Sequence, residues 1–453
     1  MAKTKTMTEG CIWKQILLFT LPLMAGNFLQ QLYNAVDGIV VGNFVSENAL
    51  AAVGTCSPIT MLFISVAMGL STGCSILIAQ MYGARKYEDM RQAVSTSLIL
   101  VVGVGLVLSV AGGVVAKWVL HNVLSVSEAI LPDATAYFSI YCFGLVFQFA
   151  YNIVSFILRS LGDSSATLYF LLISSVTNIV LDLVFVIVFH WDVPGVAIAT
   201  VIAQGLSAVA SVIYMFKKYP ILRFAKGEFK FHKDKGLQAI KLGIPTTLQQ
   251  CVISSGHIAI QRLVNDFGIT AAFTAAARVE NFVLIPIFSF NVGLSTFTGQ
   301  NVGAGKPDRV RKGFRATQLM GLSTCIAVAI LTYIFAEPLS ALFGVEGTSL
   351  AISVQYIRFI TPWFPVFCAY IITNGLLQGA GDVVFTAANT ITNLIIRVAT
   401  AYTLGYFFAV GGPAAWMSMP FGWMVSIGLS FARYKWGPWQ KKAVVTAEQE
   451  GLE

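Results

Sequence analysis

Long apolar runs separated by short polar connections recur from one end of the chain to the other. A helix needs about 20 apolar residues to cross a hydrocarbon layer about 30 Å thick. Twelve such stretches can be drawn. Six lie at about 15–43, 50–80, 92–117, 133–158, 166–190 and 194–216, and six more at about 237–264, 270–302, 313–335, 350–378, 384–409 and 412–434. Several exceed the minimum, which implies tilt or extension beyond the bilayer. Pro22 falls near the start of the first stretch and is expected to kink it or mark its entry, as a hinge. The pattern predicts an all-α integral membrane protein with twelve transmembrane helices.

Polar residues within these runs carry the chemistry. In NFLQQLYNAVDG, Asn27, Gln30, Asn34 and Asp37 recur every three or four residues, so a helix gathers them into one stripe. An acid inside a lipid-spanning helix costs roughly 3 kcal/mol unless it faces protein, water or an ion. The fifth stretch has Ser174, Asn178 and Asp182 spaced by four, the fourth has Tyr137, Tyr141, Gln148 and Asn152, and the sixth has Thr200, Gln204, Ser207 and Ser211. Small polar residues on spans often serve only as contacts between helices. Four spans of one half bearing such stripes, two of them with acids, point further. Carboxylates with Asn and Thr oxygens suit a small hard cation such as Na+. Burial and mutual repulsion also raise a carboxyl pKa, which suits a carried proton. Spacing does not choose between these chemistries.

The two halves repeat. GCSILIAQMYGARK (73–86) matches GLSTFTGQNVGAGK (293–306), and RSLGDSSAT (159–167) matches QGAGDVVFT (378–386). TNIVLD (177–182) matches TNLIIR (392–397), where Arg397 stands in place of Asp182, and PGVAIA (194–199) matches GPAAWM (412–417). One duplicated unit of six spans gives two pseudo-symmetric six-helix bundles, running parallel because six is even. The expected layout is a tail at 1–14, a lobe at 15–216, a basic linker at 217–236, a second lobe at 237–436 and a tail at 437–453. The second half differs in its polar set. Span 7 carries Gln249, Gln250 and His257, and span 8 opens with Arg278 and Glu280. Intramembrane charges commonly pair, so an ion pair of Glu280 with Arg278 or Arg397 is expected. His257 is a possible proton carrier or a packing residue. GQNVGAGKP (299–307) is not a phosphate loop, because five residues separate Gly299 from Gly305 and Pro307 replaces the required Ser or Thr.

Composition agrees with the pattern. The 453 residues are 56% hydrophobic and 11% charged, which excludes an ordinary soluble domain. The net charge of +8 would suggest nucleic acid in a soluble protein, but the basic residues sit in alternate connections, most densely at 217–241 and 306–315. The positive-inside rule then places both termini in the cytoplasm, and no nucleic-acid partner is expected. The seven cysteines show no CxxC spacing, and His121, His190, His232 and His257 are scattered, so neither a disulfide framework, a zinc site nor a catalytic set is indicated. The opening MAKTKTMTEG reads as a short polar tail rather than a cleavable signal.

Taken together, QQLYNAVDGIVVG, STG…IAQMYGARK, LRSLGDS, the TN…D of span 5 and LSTFTGQNVGAGK resemble the multidrug and toxic compound extrusion (MATE) family, over essentially the whole chain. The resemblance implies two six-helix lobes, alternating access, and export of organic cations or other drugs against entering H+ or Na+, with no cofactor. It implies that Asp37 and Asp182, with Tyr137, Asn152, Asn178 and Thr200, form the first-lobe cation site, and that span 1 bends near Pro22. Members of the NorM-like branch are associated with acids in spans 7 and 10; this chain has Gln249 and Gln250 in span 7 and no acid within span 10, which favours the DinF-like branch. A monomer in a prokaryotic inner (plasma) membrane is expected. The alternative is a flippase for lipid-linked precursors, for which Arg278 and Arg397 are the candidate headgroup contacts.

Overall fold

The computed structural model describes residues 6–44, 47–124 and 126–445, without the side chains of residues 34–44 and 47–50. Every regular element among the described residues is helical. The first half comprises α1 (Ile12–Phe44), α2 (Glu47–Gly83), α3 (Tyr87–Trp118), α4 (Leu131–Ser160), α5 (Ser164–Leu183) and α6 (Asp192–Lys218). The second comprises α7 (Lys233–Asp266), α8 (Thr270–Gly303), α9 (Pro307–Ile334), the short α10 (Ala336–Ala341), α11 (Gly347–Ile360) continuing into α12 (Phe364–Gly379), α13 (Val383–Tyr402), and α14 (Ala414–Met417) leading into α15 (Met419–Trp436). Each of the twelve predicted stretches is therefore helical, with ends moved by a few residues. Ten spans among the described residues are long and apolar enough to cross a membrane. The helices α7 and α15 are more polar: α7 opens with Lys233, Asp234 and Lys235 and α15 closes with Arg433 and Lys435.

The repeat is visible in the turns. Gly162 and Gly381 both adopt a left-handed backbone, at φ +90° and +94°. In each case the amide of the following Asp donates back to the helix, Asp163 to the Leu158 carbonyl and Asp382 to the Leu377 carbonyl, both at 2.9 Å. Helices end this way because the left-handed residue lets the next amide reach an otherwise unpaired carbonyl. The two Asp side chains then fasten the last helix of their half. Asp163 accepts from Lys218 Nζ and Tyr219 at 2.9 Å and from Tyr214 at 3.0 Å, whereas Asp382 holds Arg433 through two bonds of 2.7 and 3.2 Å. The turn after α2 uses Arg85 at φ +59° where the turn after α8 uses Gly305 at +67°.

The chain forms two compact units. One comprises residues 1–24, 83–85 and 248–453, the other 25–82 and 86–247. Thus α1 and α7 each contribute to both, changing unit two residues beyond an internal proline, Pro22 and Pro245. Within the 25–247 unit the first part of α7 crosses α2 with backbones nearly touching: a Cβ on Gly73 would lie 2.4 Å from Gly243 Cα. Thr246 Oγ1 donates to the Gly69 carbonyl at 2.7 Å in the same crossing. Within the other unit the first part of α1 crosses α8 at Gly293, whose added Cβ would lie 2.6 Å from Thr20 Oγ1. Gly73 and Gly293 are the matched glycines of the repeated motif. Ile16, Phe19 and Leu23 of α1 join a core built on Phe290, Phe297, Tyr356 and Trp416. The GQNVGAGKP turn has a structural task in this unit. Gln300 accepts from the Met7 amide at 2.8 Å, Asn301 donates to the Met7 carbonyl at 3.1 Å and Lys306 to the Thr8 carbonyl at 3.1 Å.

Candidate functional site

The buried acid of the first half is positioned by its turn. Asp163 caps α5 by accepting from the Ala166 amide at 3.2 Å, which fixes where the helix starts and hence its phase. Asn178 and Asp182, one turn apart, then point inward at 1% exposure each, while Ile173, Val176 and Val180 cover the outer face. Immediately beyond, the backbone widens into a π-turn over Val184–Val188. Such widened turns frequently accompany functional sites. Asn178 Oδ1 accepts a hydrogen bond from the Tyr33 hydroxyl, and its Nδ2 has no partner among the described residues. Tyr33 was not a predicted site residue, although it stands four residues before Asp37 on the same helix. Asp37 and Asn34 are on α1, but their side chains lie outside the described residues.

The other first-half residues are engaged locally. Tyr137 packs on Val186 of the π-turn and Val196 of α6, and stacks on Tyr141 with ring centroids 6.1 Å apart. Tyr141 donates to Gln148 Oε1 at 3.0 Å, and Asn152 Nδ2 to the Gln148 carbonyl at 2.9 Å. The Thr200 hydroxyl donates to the Val196 carbonyl of its own helix at 3.0 Å. Gln204 is half-buried on α6 and Gln30 is exposed.

The second half gathers a different set. Gln249 Nε2 donates to Thr390 Oγ1 at 2.8 Å, and Thr390 also meets the Tyr370 hydroxyl at 3.2 Å; Gln250 beside it is half-buried. Glu280 accepts from the Tyr356 hydroxyl, a residue with no periodic signal in the sequence. Arg278 is exposed and lies over the Phe343 ring, 5.9 Å from its centroid, rather than against Glu280. Among the described residues no ion pair joins Glu280 to Arg397. The expected intramembrane pair is thus replaced by a hydroxyl–carboxylate contact, because Glu280 points towards α11. The charge of Arg397 still reaches Glu280, Tyr356 and the exposed His257. The helices α5 and α13 are both 20 residues long and both run into a five-residue π-turn. Matching them end to end makes Arg397 equivalent in position to Asn178, and Ala401 to Asp182. The TN match in the sequence had slipped by one helical turn, which keeps the face and changes the level.

The sequence model of the MatE family matches residues 22–184 and 245–403, one segment in each half of the chain. The chain belongs to the MATE family. It is an integral membrane transporter and not an enzyme. The "Probable multidrug resistance protein YpnP" of Bacillus subtilis (strain 168) is 28% identical over 447 residues, covering 98% of this chain and 99% of its own. Among solved structures, "MATE in the straight conformation" shares the fold at a TM-score of 0.90 with 23% identity, over 97% of this chain and 99% of that one. A MOP superfamily transporter from Pyrococcus furiosus, described by the reverse polarity of its binding pocket, aligns at 0.88 with 23% identity, over 96% and 97%. MATE transporters need no cofactor.

Proposed function

We propose that this MATE chain is a secondary active multidrug antiporter, exporting organic cations and other amphipathic drugs in exchange for entering H+ or Na+. What carries the reading is Asp182, an acid 1% exposed on a membrane helix beside Asn178. A carboxylate kept at that position must be stabilised by a partner, an ion or a proton. Asp182 and Asp37 hold the coupling cation in the outward-open state, with Asn178 and Thr200 as further oxygen donors, and the change of charge promotes release of the substrate. The cation drives the cycle only because it binds the two states with different affinity. Alternating access moves two six-span lobes, 15–216 and 237–436, with α1 bending at Pro22. All twelve spans cross the plasma membrane, the termini are cytoplasmic, and the working unit is a DinF-like monomer. The multidrug resistance name of YpnP supports the substrate class.

Efflux of ethidium from liposomes tests this, under an imposed proton gradient and then a sodium gradient, for wild type, Asp37→Asn and Asp182→Asn. The reading requires one gradient to drive wild-type efflux and each substitution to abolish the gradient's effect with the protein still folded. Equal efflux with and without both gradients contradicts it.

A further inference from the structure

Arg397 of α13 has no basic counterpart at the matching position of the other half, and among the described residues it has no hydrogen-bond or ion-pair partner. Two other arginines of the same unit are held by partners: Arg433 by two bonds to Asp382, and Arg309 by Gln15 and the Met7 carbonyl. Arg397 makes no hydrogen bond or ion pair among the described residues, and its Nε is buried. The acid whose charge it feels, Glu280, is taken up by Tyr356. A cation within a membrane span is costly and is retained where it pairs or meets a ligand. A guanidinium offers five donors in a planar fork that matches carboxylate and phosphate oxygens.

We propose that Arg397 is an anion subsite that receives the carboxylate or phosphate group of an amphipathic substrate. The proposal rests on the export reading and narrows its substrates to include zwitterions and anions. Without ligand, Glu280 shares the neighbourhood of Arg397 and competes with the incoming anion.

The test is a pair of dyes that differ only at one group: rhodamine 110, which carries a free carboxylate, and rhodamine 123, its methyl ester. Binding is followed by fluorescence polarisation with purified full-length protein. Arg397→Gln is expected to weaken rhodamine 110 by about tenfold or more, as for loss of a charge-assisted contact, and rhodamine 123 by less than about twofold. Arg397→Lys recovers part of the loss, and Glu280→Gln tightens rhodamine 110. Dihexanoyl phosphatidylglycerol is then added as a competitor. Displacement of rhodamine 110 in wild type identifies a lipid headgroup phosphate as an occupant, and no displacement leaves the soluble carboxylate. The subsite is overturned if Arg397→Gln treats both dyes alike and Glu280→Gln does not favour the carboxylate. If wild type binds neither dye, the export reading fails with it; if it binds both without discrimination by Arg397, the subsite alone fails.

Discussion

The crossing of α2 with the first part of α7 gives a perturbation whose size can be worked from geometry. In Gly73→Ala the new Cβ would lie 2.4 Å from Gly243 Cα and N and 2.7 Å from the Leu242 carbonyl carbon. Carbon atoms rest at about 3.5–4.0 Å, and all three neighbours are backbone, so no rotamer change relieves the overlap. The helices must separate by about 1 Å, at a typical cost for overpacking of about 1–3 kcal/mol. The bond from Thr246 to the Gly69 carbonyl, one turn away at 2.7 Å, stretches with them, but the hydroxyl keeps the Leu242 and Gly243 carbonyls of its own helix at 3.0 and 2.9 Å and adds little to the cost. Gly54 on the same helix is a matched control, since among the described residues nothing lies within 4 Å of its added Cβ. Gly54→Ala should gain about 0.5–1 kcal/mol of helix propensity. Thermal unfolding in detergent, followed by intrinsic fluorescence, reads both. Gly73→Ala is expected to lower Tm and Gly54→Ala to raise it or leave it unchanged. If both variants unfold at the same temperature and transport at the same rate, the helices do not approach as closely as described and the reasoning fails.

Three further outcomes concern the repeated turns. Asp382→Asn leaves the half-buried Arg433 without its two carboxylate bonds and should cost roughly 1–3 kcal/mol. Asp308→Asn, which removes an exposed pair with Arg311 at 3.3 Å, should leave Tm unchanged, and equal losses would refute the buried clasp. Gly305→Ala forces a Cβ into a left-handed residue at φ +67° with open space around it, so its loss of about 1 kcal/mol isolates backbone strain. Arg85→Gly at the matching turn should shift Tm upward, and a fall there would show that the pair with Glu9 at 2.9 Å outweighs the strain.

Apolar run length made the helices legible, because a span must satisfy its backbone internally and so cannot be anything else. The Gly-Asp repeat likewise announced two matched turns. The sequence did not reveal that α1 and α7 each serve two units, since packing partners leave no local periodicity. The acid at Asp182 was readable from its spacing with Asn178, and its inward orientation followed from helix phase. Tyr356 was not readable: it is a lone tyrosine whose role depends on Glu280 arriving from another helix. The expected ion pair of Arg278 and Glu280 misjudged direction, because residues two apart on a helix face different ways. The slip between Asp182 and Arg397 arose because a six-residue match cannot distinguish registers one turn apart, while helix ends can.

Asp37 and Asp182 are proposed to exchange a coupling cation with the substrate. The most direct test of this exchange adds ethidium to purified protein in weakly buffered detergent solution, with a pH-sensitive dye to count protons and 22Na+ to count sodium. Wild type should release one of the two cations as ethidium binds, and Asp182→Asn should bind ethidium without releasing it. Equal release from wild type and Asp182→Asn, or binding with no release of either cation, contradicts the claim.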